Sequence, residues 1–240
     1  MKLAGLQKLT LLDYPDNMAA CVFTPGCNLR CPFCHNAELV VGTSDSKGNS
    51  LFPSLSVAEF FDFLDTRQGL LDGVCISGGE PLLQNGLADF CRAIHKRGFL
   101  IKLDTNGTNP EKLQDLIDQN LVDYVALDVK NSPARYAQTV GIPQFDVYPI
   151  HKSIELLLEG RVNYEFRTTV VSELHDRRSL GEIAQWIRGV HVWYLQNFVE
   201  SEHLIAKEGI LHSYPETELA CLLPQLQSIV PNTSIRGGTT

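Results

Sequence analysis

Cys27, Cys31 and Cys34 lie within eight residues, in the spacing C-x3-C-x2-C. Thiolates at this density serve as ligands for a metal or for an iron–sulfur cluster. A structural zinc ion takes four ligands. The fourth has no good candidate here: His35 directly abuts Cys34, which is awkward for closing a tetrahedron, and Cys21 lies inside an apolar stretch. A cubane cluster held by three thiolates leaves one iron open to an exogenous ligand. That open iron is the chemistry the spacing points to.

The other residues with chemistry each follow a short apolar run. In chain order they are Gly78-Gly79-Glu80, Asp104-Thr105-Asn106, Asp128 with Lys130, Arg167 and Gln196. Glycines let backbone groups approach a ligand with no Cβ in the way. Asp104 and Asp128 accept hydrogen bonds or, with Thr105, coordinate a cation. Lys130 offers a positive charge to a carboxylate. Gln196 both donates and accepts, which suits a ribose or an amide. Together they suit one amino-acid-like ligand beside the open iron. Plainer readings stand next to these: capping for the two aspartates, a satisfied interior charge for Arg167. Cys75, Cys91 and Cys221 sit in apolar stretches and read as buried small hydrophobes. Trp186 and Trp193 read as core. The histidines other than His35 show no metal-ligand spacing and read as surface or locally hydrogen-bonded residues.

Something must bring these residues together, and the hydrophobic pattern shows what. Apolar runs at Met18–Phe23, Gly73–Ser77, Phe99–Leu103, Val122–Leu127, Val162–Val171 and Val190–Leu195 read as strands. Between them, helical patterns span Leu55–Leu64 (with Ser54 or Ser56 as N-cap), Leu82–His95, Pro110–Gln119, part of Asp146–Leu158, and Leu180–Ile187. Strands alternating with helices predict a parallel sheet with helices outside. Six repeats fall short of the eight of a full barrel. The predicted fold is therefore α/β, a partial (β/α)6 TIM-type barrel of parallel strands, with the cysteine loop after the first barrel strand. In such folds ligands bind at the C-terminal ends of the strands, where every residue named above falls. Leu6–Leu12 reads as an extra strand or hairpin arm before the barrel. One domain over residues 1–240 is expected, with a barrel core at about 18–200 and an extension at about 201–240. The extension holds a helix, Pro215–Leu226, and a last strand, Ser228–Ile235. Residues 40–54 read as a mobile loop, and residues 237–240 as a frayed end.

Composition removes several function classes. The formal net charge is -8, which argues against a nucleic-acid or anionic-membrane footprint. No apolar run reaches transmembrane length. Gln7, Lys8 and Asp13 interrupt what would be the apolar region of a signal peptide. Seven cysteines, an odd number, suit reduced thiols in the cytoplasm better than a disulfide framework.

The residues also resemble a known family. Cys27-Asn28-Leu29-Arg30-Cys31-Pro32-Phe33-Cys34-His35-Asn36 resembles the cysteine signature of the radical S-adenosylmethionine (SAM) superfamily, and its Cys-His-Asn ending resembles the glycyl-radical-enzyme activase branch. Ser77-Gly78-Gly79-Glu80-Pro81 is similar to the superfamily's Gly-Gly-Glu motif. Asp104-Thr105-Asn106-Gly107 and Asp128-Val129-Lys130 are similar to activase strand-end motifs. The stretches Gly5–Pro15 and Trp193–Phe198 look most like those of proteins that activate anaerobic ribonucleoside-triphosphate reductase. One departure stands out: Asp16-Asn17-Met18 occupies the place where activases commonly carry a glycine-rich turn and an arginine.

The resemblance implies the following. Cys27, Cys31 and Cys34 would ligate a [4Fe-4S] cluster whose fourth iron chelates the amino and carboxylate groups of SAM. Phe33 would lie near the adenine, contacted also by backbone around His35. Gly78 and Gly79 would meet the methionine amino group, with Glu80 shaping that turn. Asp104, Thr105 and Asp128 would match a monovalent-cation site, with Lys130 near the same end of the cofactor. Arg167 and Gln196 would complete the cofactor site. The reduced cluster would cleave SAM to a 5′-deoxyadenosyl radical, which would abstract hydrogen from a glycine of a partner enzyme. That partner would be anaerobic ribonucleotide reductase, with electrons from a flavodoxin- or ferredoxin-type reductant. A formate lyase activase, or a deazaguanine-synthase-like enzyme acting on a small molecule, are the alternatives. No cysteine-rich insert separates Cys34 from Gly78, so no second, ferredoxin-like cluster domain is implied.

Overall fold

A computed structural model describes residues 1–40, 55–201 and 204–236. Eight strands form one sheet in sequence order. They are β1 (Gly5–Thr10), β2 (Ala19–Thr24), β3 (Gly73–Gly78), β4 (Leu100–Thr105), β5 (Tyr124–Asp128), β6 (Asn163–Val170), β7 (Trp193–Asn197) and β8 (Thr233–Arg236). β1 runs antiparallel to β2, and every later pair is parallel. β1 and β8 are the two ends of the sheet, so the barrel is open.

The helices are α1 (Ala37–Val40), α2 (Val57–Asp65), α3 (Leu87–His95), α4 (Pro110–Asp118), α5 (Tyr136–Thr139), α6 (Tyr148–Leu158), α7 (Arg177–Trp186) and α8 (Glu216–Gln227). Ser56, of the two candidate caps, closes a capping box: its Oγ accepts from Glu59 N at 3.1 Å, and its own N–H donates to Glu59 Oε2 at 2.8 Å. Pro110 and Asn109 start α4 in the same spirit, Pro at the first turn and Asn as cap.

Along each strand the side chains alternate between two environments. Ile101 and Leu103, Val125 and Leu127, and Trp193 and Leu195 are all buried in the main hydrophobic core. Their neighbours in the alternation, among them Lys102, Asp104, Asp128, Glu165 and Arg167, meet inside the curve of the sheet. The apolar core is therefore a shell, and the interior of the half-barrel is ionic.

Several boundaries differ from the sequence expectations. The helix expected over Leu82–His95 is a 3-10 turn, Pro81–Leu83, followed by α3, and Gly86 with φ of 79° separates them. α7 begins at Arg177 because Asp176 caps it, accepting from Ser179 N at 2.8 Å. The last strand is shorter than expected, since Ser228 closes α8 and pairing begins at Thr233. Parallel to β7, it lengthens the parallel array beyond the six predicted strands. Cys221 is exposed, against the expectation of burial: it lies on the outer side of α8, whose buried residues are Leu219, Leu222 and Leu226. Cys75 and Cys91 are buried as expected. The loop expectation for 40–54 falls, after Val40, outside the described residues, as does that for 237–240. Among the described residues, no helix is long and apolar enough to cross a membrane.

Candidate active site

One cavity of about 410 Å³ opens at the C-terminal ends of the strands, within the usual size of small-molecule sites. Every candidate residue from the sequence lines it except Glu80. The sheet thus gathers in one place positions separated by up to 169 residues, Cys27 to Gln196.

The first wall comes from β2, β3 and the cysteine loop. Gly78 has φ of 110°, a backbone conformation suited to glycine. A Cβ on Gly78 would lie 2.4 Å from Thr24 N, and one on Gly79 would lie 1.9 Å from Gly26 O. The glycine pair is therefore needed for chain against chain: Gly79 N–H donates to Thr24 O and Glu80 N–H to Gly26 O, both at 2.8 Å. Ligand approach, the reason expected from the sequence, is therefore not the only demand on these glycines. Asn36 Nδ2 donates to Gly78 O at 3.1 Å, binding the far side of the cysteine loop to the same turn. His35 lines the cavity, and its Nε2 lies 2.7 Å from Val199 O, with the ring 5.6 Å from Phe198. The loop after β7 is thereby tied over the cysteine loop, which Ala206 N–H reinforces by donating to Pro32 O at 2.9 Å. Phe33 is buried and faces the cavity.

Glu80 lies beneath this wall, fully buried. Its Oε1 accepts from Leu82 N at 3.0 Å and Thr105 Oγ1 at 2.7 Å, and its Oε2 accepts from Asn106 N at 2.7 Å. Burial pushes its carboxyl up to about 7, against the pull of these three hydrogen bonds. Glu80 thus joins the end of β3 to the end of β4. Asn106 passes the connection back: its Nδ2 donates to Asn28 Oδ1 at 3.1 Å and lies 3.7 Å from Cys27 Sγ.

The second wall is a chain of charges running from β4 to β6. Lys102 pairs with Asp104; Asp104 Oδ2 meets Arg167 Nη1 at 3.3 Å; Arg167 Nε meets Asp128 Oδ1 at 2.8 Å; Asp128 Oδ2 meets Lys130 Nζ at 3.1 Å. Arg167 and Asp128 are also register partners across β5 and β6. Arg236 of β8 adds a forked pair to the buried Glu165, at 3.0 and 2.9 Å. Desolvation acts against both aspartates, but Arg167 and the lysines outweigh it and hold their carboxyls below the ordinary range. Arg167 therefore is an interior charge paired through Nε and Nη1 with protein carboxylates and, at the same time, a lining residue of the cavity. Asp104 and Asp128 are already paired with cations of the protein, and the Thr105 hydroxyl is donated to Glu80. A bound monovalent cation would compete with those contacts.

The three thiols that line the cavity are a donor set a polynuclear cluster can use. Among the described residues, no three His, Cys, Asp or Glu side chains come together closely enough to hold one metal ion. Cys27, Cys31 and Cys34 nevertheless all face the same cavity as free thiols. That arrangement suits a polynuclear cluster, in which each thiolate takes a different iron. Leu29 N–H points at Cys27 Sγ, 3.4 Å away, and such N–H···S contacts are one means by which proteins tune clusters. Burial raises all three thiols, Cys31 to about 12, while the Lys130 ammonium works in the opposite direction on each. Metal or cluster binding would deprotonate them.

The radical SAM superfamily matches residues 21–187, well over half of the chain. The chain belongs to the radical SAM superfamily. A protein of Methanocaldococcus jannaschii, named provisionally as a glycyl-radical enzyme activating enzyme, is 32% identical over 97% of this chain and 95% of its own length. A 7-carboxy-7-deazaguanine synthase of Methanopyrus kandleri is 30% identical over 85% of this chain and 82% of that protein. The pyruvate formate-lyase-activating enzyme of Clostridium pasteurianum is 29% identical over 54% of this chain; the match spans about half of that enzyme, 52%. In fold, the chain is similar to Streptococcus suis SuiB bound to S-adenosylmethionine, with a TM-score of 0.66 over 90% of this chain and 52% of that one, at 13% identity.

Radical SAM membership implies a [4Fe-4S] cluster and SAM, and the cavity has the donor set for both. Asn36, Lys102 and Glu165 have no role in the sequence expectations. Asn36 is visible as the last polar residue of a motif already noted, and Asn106 is among the expected strand-end residues, although its bond to Asn28 beside Cys27 is not. Lys102 carried a signal too: a lysine two residues before Asp104, in an otherwise apolar strand, must face the same side as that aspartate.

Proposed function

We propose that this chain is an activase that generates a glycyl radical on a partner protein, anaerobic ribonucleoside-triphosphate reductase. The observation that carries the activase reading is the end-to-end match to a relative of that name. The open sheet supports a macromolecular substrate, because the edge strand β1 and the following turn stand beside the cavity mouth and contribute Gln7 and Asp13 to it. The reductase is favoured by the opening stretch Gly5–Pro15, which contains those two residues. The second stretch that suggested it, Trp193–Phe198, gives less support. Trp193 is buried and donates its Nε1 to Thr168 Oγ1 at 3.0 Å, a packing role.

Cys27, Cys31 and Cys34 hold the cluster. A bound cluster with SAM would supply one-electron reductive cleavage of the sulfonium, the source of the hydrogen-abstracting species for the partner's glycine. The chain's own residues position and enclose. Lys130 and Arg167 keep the second wall positive, with four cations against three carboxylates among Lys102, Lys130, Arg167, Arg236, Asp104, Asp128 and Glu165, which suits the cofactor carboxylate. Phe33 gives the adenine an apolar contact and Gln196 serves the ribose. The backbone turn at Gly78 and Gly79 faces the methionine amino group. Asp104, Thr105 and Asp128 offer a monovalent cation its oxygens in exchange for their present partners. A flavodoxin- or ferredoxin-type protein supplies the electron, in the cytoplasm. The chain works as one catalytic domain, since β8 of the C-terminal extension joins the barrel sheet.

Two relatives favour other partners: the formate-lyase activating enzyme over half of the chain, and the deazaguanine synthase over 85% of it. One experiment separates all three. The anaerobically reconstituted protein is reduced with SAM and presented in turn with the reductase, a pyruvate formate-lyase and the substrate of a 7-carboxy-7-deazaguanine synthase. A glycyl radical seen by electron paramagnetic resonance on the reductase alone is the expected result. A radical on the lyase alone would replace the partner, and formation of 7-carboxy-7-deazaguanine alone would overturn the activase reading.

A further inference from the structure

The end of β5 and the turn after it carry two charged groups of the cavity, Asp128 and Lys130. Its backbone is held on every side. Val129 N–H donates to Arg167 O at 2.9 Å, and Val129 O accepts from Thr168 Oγ1 at 2.8 Å. Lys130 N–H donates to Tyr136 Oη at 3.3 Å, and Lys130 O lies 2.9 Å from His175 Nε2. Thr168, Tyr136 and His175 are all buried.

The proton on His175 can be assigned from its neighbours. Val171 N–H can only donate, and it points at Nδ1 from 3.1 Å. The Val171 carbonyl, 3.3 Å from Nδ1, already accepts from His175 N at 2.9 Å. Nδ1 is therefore the acceptor and Nε2 carries the hydrogen, directed at the Lys130 carbonyl. Burial holds the ring's pKa down and keeps it neutral in this arrangement.

We propose that His175 is a positioning residue for cofactor binding: by holding the carbonyl of Lys130 it aims the Lys130 ammonium at the cofactor. This rests on the reading of the cavity as a SAM site. His175 lies 45 residues from Lys130 in the chain and does not line the cavity. Its side chain reaches the cavity wall through one hydrogen bond, to Lys130 O, while Nδ1 faces Val171 N–H. The competing account is that His175 only satisfies a buried carbonyl, with no bearing on where the ammonium sits.

Two substitutions divide these accounts. In His175→Gln the side-chain amide nitrogen reaches about as far as Nε2 and keeps the bond to Lys130. In His175→Asn the amide reaches only as far as Nδ1 and the bond is lost. Anaerobically reconstituted proteins are compared for iron content, melting temperature and SAM affinity by equilibrium dialysis. Residues that orient a metal ligand are worth about 10–100-fold in metal affinity or activity, and the same order is expected here for a residue that orients a charged binding group. The expected result is His175→Gln within about threefold of wild type and His175→Asn weaker by about tenfold or more, at equal iron content. Unchanged affinity in His175→Asn overturns the proposal. So does an equal loss in both variants that tracks a fall in melting temperature. If His175→Asn does not fold, Tyr136→Phe removes a single oxygen from the same turn; a weakening of about threefold supports the proposal and unchanged affinity overturns it. Wild type that fails to bind SAM would sink the functional reading, and this proposal with it. Wild type that binds, beside a His175→Asn variant that binds equally, sinks this proposal alone.

Discussion

On the β2–β3 side of the cavity, main chain meets main chain. Thr24, Gly26, Gly78 and Gly79 approach so closely that no Cβ fits between them, and the hydrogen bonds that hold them are backbone bonds. On the β4–β6 side, strands keep their regular spacing and the site is made by side chains, five charges in series from Lys102 to Lys130. The first wall can be altered only by moving the chain. The second can be altered one group at a time. The cysteine loop rests on the first, so the geometry presented to a cluster is set by the rigid wall, and the electrostatics around a cofactor by the adjustable one.

Gly79→Ala attacks the rigid wall and has the largest expected effect. Its Cβ would fall 1.9 Å from Gly26 O, a backbone atom that cannot turn aside. The loop from Thr24 to Cys27 must then shift. We expect a destabilisation above ~4 kcal/mol, the range of severe core strain, together with loss of cluster binding. Chemical denaturation and iron content measure both. Retention of wild-type iron with a small stability change would show that the two walls are not different in kind.

Arg167→Met is the corresponding change in the adjustable wall. It removes the central cation, yet Asp104 keeps Lys102 and Asp128 keeps Lys130. Breaking a buried pair costs about 3–5 kcal/mol, and the remaining lysines place this case near ~3 kcal/mol. The cysteine loop does not touch Arg167 in any hydrogen bond or ion pair among the described residues, so the reconstituted variant should keep its iron while SAM affinity falls. Loss of iron in step with SAM affinity would contradict the division.

The contrast also explains what the sequence made legible. The rigid wall demands residue types: cysteine as ligand, glycine where a Cβ collides. Such demands are local and appear as motifs, so Cys27, Cys31, Cys34, Gly78 and Gly79 were all visible, although the reason for the glycines was only half right. The alternation of apolar strands and helices likewise gave the open barrel. The adjustable wall demands only complementary charges at positions fixed by strand register. Asp104 and Arg167, 63 residues apart, carry no mark of their pairing in the chain. Glu165 looked like an ordinary strand residue until Arg236 of β8 reached it. Asp128 and Lys130 could be found because they are neighbours; that Arg167 joins Asp128 to Asp104 could not.

Glu80 is where the two walls meet, and it gives the smallest and most selective test. It belongs by sequence to the rigid wall but binds Thr105 and Asn106 at the end of β4. Its folded carboxyl titrates near 7, against an ordinary value of 4.5. A raised folded pKa means that its contribution to stability is complete below pH 4.5 and declines as pH rises through 7. Between pH 5 and 7 the decline amounts to about 2 kcal/mol. Glu80→Gln does not titrate, so the stability difference, wild type minus variant, should shrink by about that amount across this window, as read by urea denaturation at a series of pH values. A flat difference would mean that the three hydrogen bonds outweigh burial and keep the carboxylate ionised throughout. Glu80 would then be a charged anchor of the rigid wall, no longer a joint whose strength depends on pH.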